Sequence, residues 1–425
     1  MKRFLPAILI VCSITALLTG CDTTSNIDDP NDSHFIKYYG GDGNQSSVDM
    51  LALPDGNILL LGNTQFAGEK SIYLLKVDAK GQLLWEKTFE GTNEVAVDME
   101  PMQDGNVAIL ATVEVTSDNH DIKLIVVSDG GDEVRSAVYG TWSGKKDTPK
   151  SLTPLTDGGF IVTGLTIADK AVEPKVNPDF YSNVFHFRCN SLLEFDDVTW
   201  SELYGATEQV DGGVKTFENL DGFYVFGYSD QKFKPEQGGN LGMFYYRIAS
   251  VGTPSEDIGI LGDEAQNIRT DFVHQVRSEL GGGFLVVGST INPSGTSSAL
   301  HVARLRPQLD FNPAKDKQFD REIGVLTTSL EGVSATTSLV TPQGFLVLGE
   351  ETRSLGTKNL SLIKIDQVGQ VVWSVSLGSE EENDDAAAVI ETSDEKILVL
   401  GTVELGDNQS KMALFKLNST GRLHD

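Results

Sequence analysis

Seven short stretches of one design recur along this chain: DGNILLLG (Asp55–Gly62), DGNVAILA (Asp104–Ala111), DGGFIVTG (Asp157–Gly164), LDGFYVFG (Leu220–Gly227), GGGFLVVG (Gly281–Gly288), PQGFLVLG (Pro342–Gly349) and DEKILVLG (Asp394–Gly401). Each sets a turn before a run of aliphatic, β-branched or aromatic residues. Asp and Gly supply the positive φ that a two-residue hairpin turn demands. Residues such as Phe160, Ile161 and Val162 suit a pleated, packed surface. The stretches end at 62, 111, 164, 227, 288, 349 and 401, so one unit recurs every 49–63 residues. A repeat of that length can form a single closed body well above ordinary domain size.

The first unit shows the internal grammar. Ser46–Gly56 is a strand ending in a turn, Asn57–Thr64 a second strand, Ser71–Gly81 a third with its own turn, and Gln82–Phe89 a fourth. Four short strands per unit, punctuated by glycine turns, predict an antiparallel all-β array. No unit carries a sustained 3.6-residue period, which excludes helical solenoids. Seven units near fifty residues predict a seven-bladed β-propeller of four antiparallel strands per blade over residues 35–425.

Two echoes fix the register. The third strand carries a basic residue at one place, Lys76, Arg188, Arg247, Arg304, Lys364 and Lys416, with Val126 the exception. The alternation of strand side chains places Lys76 on one face with Leu74 and Asp78, and we expect these cations to be at least partly buried and bonded to turn carbonyls or carboxylates. The fourth strand begins near tryptophan in WEKTFEG, WSELYG and WSVSLG. The last unit has three strands only, whereas His34–Gly41 has the fourth-strand shape, with Phe35 in the tryptophan position. The N-terminal strand is therefore expected to complete the seventh blade, and closure removes edges that invite aggregation.

Residues 1–20 stand apart from the fold. Lys2 and Arg3 precede an apolar run, Phe4–Leu18, that is short for a membrane span, and Leu18-Thr19-Gly20-Cys21 follows. This resembles the lipobox of bacterial lipoproteins, which implies cleavage before Cys21 and lipidation of its side chain. Acyl chains contribute about 0.8 kcal/mol per buried methylene, enough for stable anchoring when several are attached. Residues 21–34 read as a flexible acidic tether. Asp22 resembles the inner-membrane retention signal of enterobacterial lipoproteins, a rule other groups do not follow; the expected address is the cell envelope, at the outer membrane rather than the inner. Cys189 is then the remaining thiol of the mature body, expected as a small buried side chain. The repeats resemble those of bacterial propeller proteins with delta-60-like units, often lipid-anchored in the envelope.

Chemistry is sparser. Asp147, Asp211, Asp271 and Asp385 recur 16 or 17 residues before the anchor's end, where one unit hands over to the next. They predict either turn-capping partners or an acidic ring at the channel mouth able to hold a cation or a basic ligand. The second-to-third-strand connections of units three and four are long and carry Phe180, Tyr181 and Phe233 among Lys170, Lys175, Lys232 and Lys234, a candidate binding face because loops on a rigid scaffold carry function. The six histidines lack zinc-site spacing, Glu380–Asp385 lacks the spacing of a calcium loop, and no motif implies a cofactor. A formal charge of −28, from 61 acidic and 33 basic residues, argues against nucleic acid, whose phosphates need clustered Lys and Arg. The expected role is a non-enzymatic binding or scaffolding module for another envelope protein or a glycan; an enzyme acting on a glycan or other polymer at the channel mouth is the alternative. If the lipobox reading holds, Cys21→Ser abolishes incorporation of labelled fatty acid and releases soluble protein; continued labelling would contradict it.

Overall fold

The computed structural model describes residues 27–28 and 34–424, apart from 90, 92, 118, 141–145, 168–181, 196–201, 205–209, 221, 230–241, 251–253, 262–269, 280–281, 293–295, 325–331, 354–355, 380 and 407–408. Seven antiparallel sheets follow one another around a ring. The first blade consists of Asn44–Ala52, Ile58–Phe66, Glu69–Val77 and Leu83–Phe89, running from the axis outward. The innermost strands of the other blades are Glu94–Pro101, Asp147–Pro154, Asp211–Asn219, Thr270–Ser278, Gly332–Thr341 and Asp384–Glu391. The seventh blade takes its outer strand from the N-terminus: Phe35–Tyr39 pairs with Ser410–Leu417, Phe35 opposite Lys416. Trp85 stands opposite Lys76 in the first blade, so Phe35 occupies the tryptophan register. Within the expected tether, Ile27–Asp28 adds a short strand outside Phe35–Tyr39. The chain is a seven-bladed β-propeller.

The anchors read as continuous apolar runs because both faces of each second strand are buried. In the first blade, Ile58 and Leu60 face the seventh blade, whereas Leu59 and Leu61 face the second. Each of the seven junctions thus has its own hydrophobic cluster. Burial of one such side chain contributes about 1.5–3 kcal/mol. Cys189 is buried in the cluster between the second and third blades.

The Asp-Gly turn differs from the expected two-residue type. Leu53 N donates to Asn57 O (2.9 Å) and Gly56 N to Leu53 O (3.0 Å), closing three residues. Only Gly56 takes positive φ, 83°, while Asp55 Oδ1 accepts from Asn57 N at 2.9 Å. This is a type I turn with a glycine bulge, and the aspartate acts as an acceptor rather than as a left-handed residue.

The glycine that ends each anchor has a different cause. In every innermost strand the register shifts by one residue: Val48, Val97, Lys150, Val214, His274, Thr336 and Ala387 are the extra residues of seven β-bulges. Gly62 pairs with Ser47 beside the bulge, and a Cβ there would lie 2.3 Å from Ser46 O; at Gly349 the gap to Ser334 O would be 1.7 Å. The bulge pushes a carbonyl into the space a side chain would fill. Ala111 in the second blade accommodates a methyl group at that place.

The third-strand cations hold turns together. Lys76, 5% exposed, pairs with Asp55 of its own blade (3.0 Å) and Asp129 of the next (2.7 Å). Arg304 binds Glu279 through Nε (2.9 Å) and Nη2 (2.7 Å) and donates to Gln367 O of the sixth blade at 3.2 Å. Lys416 lies 3.9 Å from Asp394 and donates to Ala79 O of the first blade at 3.2 Å. Arg188 pairs with Asp157, and Lys364 donates to Thr341 Oγ1 at 2.5 Å. Arg247 is half-buried opposite Tyr224. Because Glu279 is only 7% exposed, Arg304→Met strands a carboxylate and should cost about 3–5 kcal/mol. Lys87→Met, which removes an exposed pair with Asp132, should cost about 0–1 kcal/mol. Equal urea midpoints for the two variants would contradict the clip.

Candidate functional site: the central channel

The seven bulges converge on the propeller axis. Val48, Val97, Lys150, Val214, His274, Thr336 and Ala387 ring a cavity of about 200 Å³ that also touches Asp49, Asp98, Lys215 and Arg277. A bulge re-aims its side chain out of the pleat, which is why residues from a strand otherwise packed between blades face the channel.

In four blades the residue after the bulge, Asp49, Asp98, Lys215 or Gln275, reaches sideways to a neighbouring blade. Asp49 accepts from Met50 N (2.8 Å) and from Met99 N of the second blade (3.2 Å). Asp98 accepts from Leu152 N of the third blade at 2.7 Å. Lys215 donates to Leu152 O (2.6 Å) and Glu100 Oε1 (2.8 Å), with Asp98 at 3.7 Å. Gln275 Oε1 accepts from Ser338 N of the sixth blade at 2.6 Å, and Arg277 Nε donates to Ser338 O at 3.3 Å. Charge-assisted bonds of this kind tie the first four blades in succession, and Gln275 and Arg277 tie the fifth to the sixth. Burial, and then the Asp98 charge, raise the Asp49 carboxyl to about 7 against the attraction of Arg277 and the Met50 N–H.

Two bulge residues stand out chemically. Lys150 and His274 are exposed to the channel, yet protein surrounds them on all sides. That wall depresses Lys150 and, together with the Lys150 charge, brings His274 down to about 4. A neutral imidazole thus stands beside the Lys150 ammonium group. Among the described residues Lys150 has no ion-pair partner.

Of the sequence-derived aspartates, Asp147, Asp211 and Asp385 do not line this cavity. Asp147 and Asp211 are fully buried rather than open to the channel mouth. Asp211 accepts from Ser229 Oγ. In the seventh blade the matching register position is Asp384, buried and accepting from Ser379 N (2.9 Å) and Glu404 N (3.2 Å); Asp385, one residue on, is exposed. Glu94 and Gln45 occupy the same position in the second and first blades, and Glu94 pairs with Lys123 at 2.6 Å. Asp271 holds its place in the fifth innermost strand opposite Thr290. Phe180, Tyr181, Phe233, the four loop lysines and Cys21 lie outside the described residues. Among those described, no helix is long and apolar enough to cross a membrane, and no three His, Cys, Asp or Glu side chains form a group that could hold a metal. The channel ring was missed because its residue types vary. A register signal existed, since each bulge residue lies 13 or 14 positions before the anchor's end.

No protein-family model and no curated protein matches the chain. Among solved structures it is similar to an ulvan lyase of polysaccharide lyase family PL25 bound to -[GlcA(1-4)Rha3S]-, with TM-score 0.57, 10% identity and coverage of 91% of this chain and 96% of that one. It is also similar to the polysaccharide lyase Uly1 (0.52, 9%, 90% and 92%) and to extracellular domains 1-2 of Drosophila semaphorin 1a (0.50, 10%, 90% and 88%). At these identities the likeness is one of fold.

A raised Asp49 has a sign that can be tested. Between about pH 4 and 7 the folded state holds a proton that the unfolded chain releases, so this group's contribution to stability falls as pH rises through that window. Asp49→Asn should therefore lose less stability than the parent between pH 5 and 8 in urea unfolding. Parallel losses would contradict the assignment.

Proposed function

We propose that this chain is a lipid-anchored envelope protein whose propeller binds an acidic partner at the central channel, a polyanionic glycan before a protein segment. One observation carries the reading: Lys150 projects into the channel with no carboxylate partner among the described residues, whereas the neighbouring Lys215 is paired. On a chain of formal charge −28, such a cation favours an anionic ligand that approaches along the axis. The lipobox at Cys21 supports an envelope address, where such polymers are met. The rigid ring lowers the ordering cost of binding.

An enzymatic reading has its own observation, the neutral His274 beside Lys150, since general acid–base chemistry uses an imidazole close to a charge-stabilising group. The two readings separate in one experiment. Labelled uronate-containing oligosaccharides are titrated into the purified protein, and the polymer is followed for chain cleavage. The binding account expects uptake that weakens at least about tenfold in Lys150→Glu, is kept in Lys150→Arg, and proceeds without cleavage. Cleavage that His274→Ala abolishes while binding persists would favour the enzyme. Equal uptake by parent and Lys150→Glu would sink the channel site.

A further inference from the structure

We propose that the junction between the second and third blades holds a calcium ion, bound by Asp121 and Asp147 with oxygens from Asn119, Thr166 and Asn183. Asp147 is fully buried, and neither of its carboxylate oxygens has a hydrogen-bond partner. Asn119 Oδ1, Asp121 Oδ1, Thr166 Oγ1 and Asn183 Oδ1 are likewise buried without partners. Such groups are rare in native proteins and call for a missing partner.

The register brings these atoms together. Asp147 stands opposite Thr166, and Thr166 opposite Asn183. Directly opposed residues share a face of the sheet, with Cβ atoms about 4.5–5.5 Å apart. From the second blade, His120 bridges Lys146 in parallel, which sets Asp121 beside Asp147. Asp121 is near enough for its charge to act on Asp147, and the Thr166 hydroxyl lies close without reaching hydrogen-bond geometry. Two carboxylates in one dry site repel each other unless a proton or a cation lies between them.

The junction that closes the ring shows a cation in the matching place. Lys411 occupies in the seventh blade the register of Asp121 in the second. Gln45 occupies in the first blade the register of Asp147 in the third. There the ammonium group of Lys411 donates to Gln45 Oε1 (2.8 Å), to Gly43 O (3.3 Å) and to Gly41 O. Between the second and third blades both positions are aspartates, so neither supplies a cation and the proposed one comes from solution. Carboxylate, carboxamide and hydroxyl oxygens are hard ligands, and calcium takes six to eight of them in flexible geometry, while magnesium keeps its waters.

The test uses the full chain in detergent, stripped with chelator and returned to about 1 mM calcium, the upper range for extracellular sites. Thermal unfolding and equilibrium dialysis with radioactive calcium are read together. Calcium is expected to raise Tm by about 2–5 °C and to bind one equivalent, both lost in Asp147→Asn. Asp121→Lys, which rebuilds the Lys411 arrangement, should unfold as late as the calcium-loaded parent without calcium and ignore its addition. Should Asp147→Asn not fold, Asp121→Asn reports the same site. A parent indifferent to calcium would mean that a proton fills the site and would overturn the proposal. So would calcium binding that survives in folded variants of Asp147 and Asp121, or an equal response to magnesium.

Discussion

At the first, fifth and last junctions the ring is held by one recurring contact, in which the outer part of a blade grips the turn of the next. A third-strand cation neutralises an acid in its own blade's turn and reaches the following blade, as Lys76 does to Asp129 and Arg304 to Gln367. Beside it, an aromatic side chain from the fourth strand lies against the glycine of that following turn. A Cβ on Gly131 would meet the Trp85 ring at 2.7 Å, one on Gly421 the Trp373 ring at 2.9 Å, and one on Gly81 the Phe35 ring at 2.8 Å. These glycines take φ of 81°, 78° and 71°, so they provide both the left-handed turn and the flat floor. Phe35 comes from the N-terminal strand, and the final junction thus uses the same parts as the others. A blade cut from the ring would expose both of its apolar faces, which is why the units are stable as a closed set.

The channel follows from a second constraint. Seven bulges bend the innermost strands and aim one side chain each at the axis, and in every blade but the second glycine stands opposite because a carbonyl takes the space of its Cβ. The neighbouring positions, freed from the pleat's alternation, tie adjacent blades through Asp49, Asp98, Lys215 and Gln275. The waist is therefore rigid and polar at once. The proposed ligand capture would use this charged aperture and its surplus ammonium, and the enzymatic alternative would use His274 in the same scaffold.

Much of the fold was legible because each repeated residue answers a backbone demand. The anchor glycine marks the bulge, the Asp-Gly pair marks the turn, and Phe35 was readable as a tryptophan substitute because strand four presents a ring to the neighbouring turn. The functional residues were less legible. Spacing points to Asp385, yet a one-residue register difference turns every side chain to the other face, and Asp384 is the residue that enters the blade. Asp147 and Asp211 sat in the expected strands, but no spacing rule distinguishes a carboxylate folded into a junction from one lining a mouth. Lys150 and His274 share a place with Val48 and Ala387, so only register identifies them. The two-residue turn was over-read from Asp-Gly alone, since an aspartate can serve by accepting Asn57 N–H instead of adopting positive φ.

Closure by Phe35–Tyr39 is the claim on which the rest stands, and native-state hydrogen exchange tests it most directly. If the N-terminal strand is an integral part of the seventh blade, its paired amides open only with Ser410–Leu417, at the same free energy as that strand and its neighbour Ile397–Glu404. Exchange of Phe35–Tyr39 at the rate of a frayed terminus, with Ser410–Leu417 still fully protected, would contradict the account.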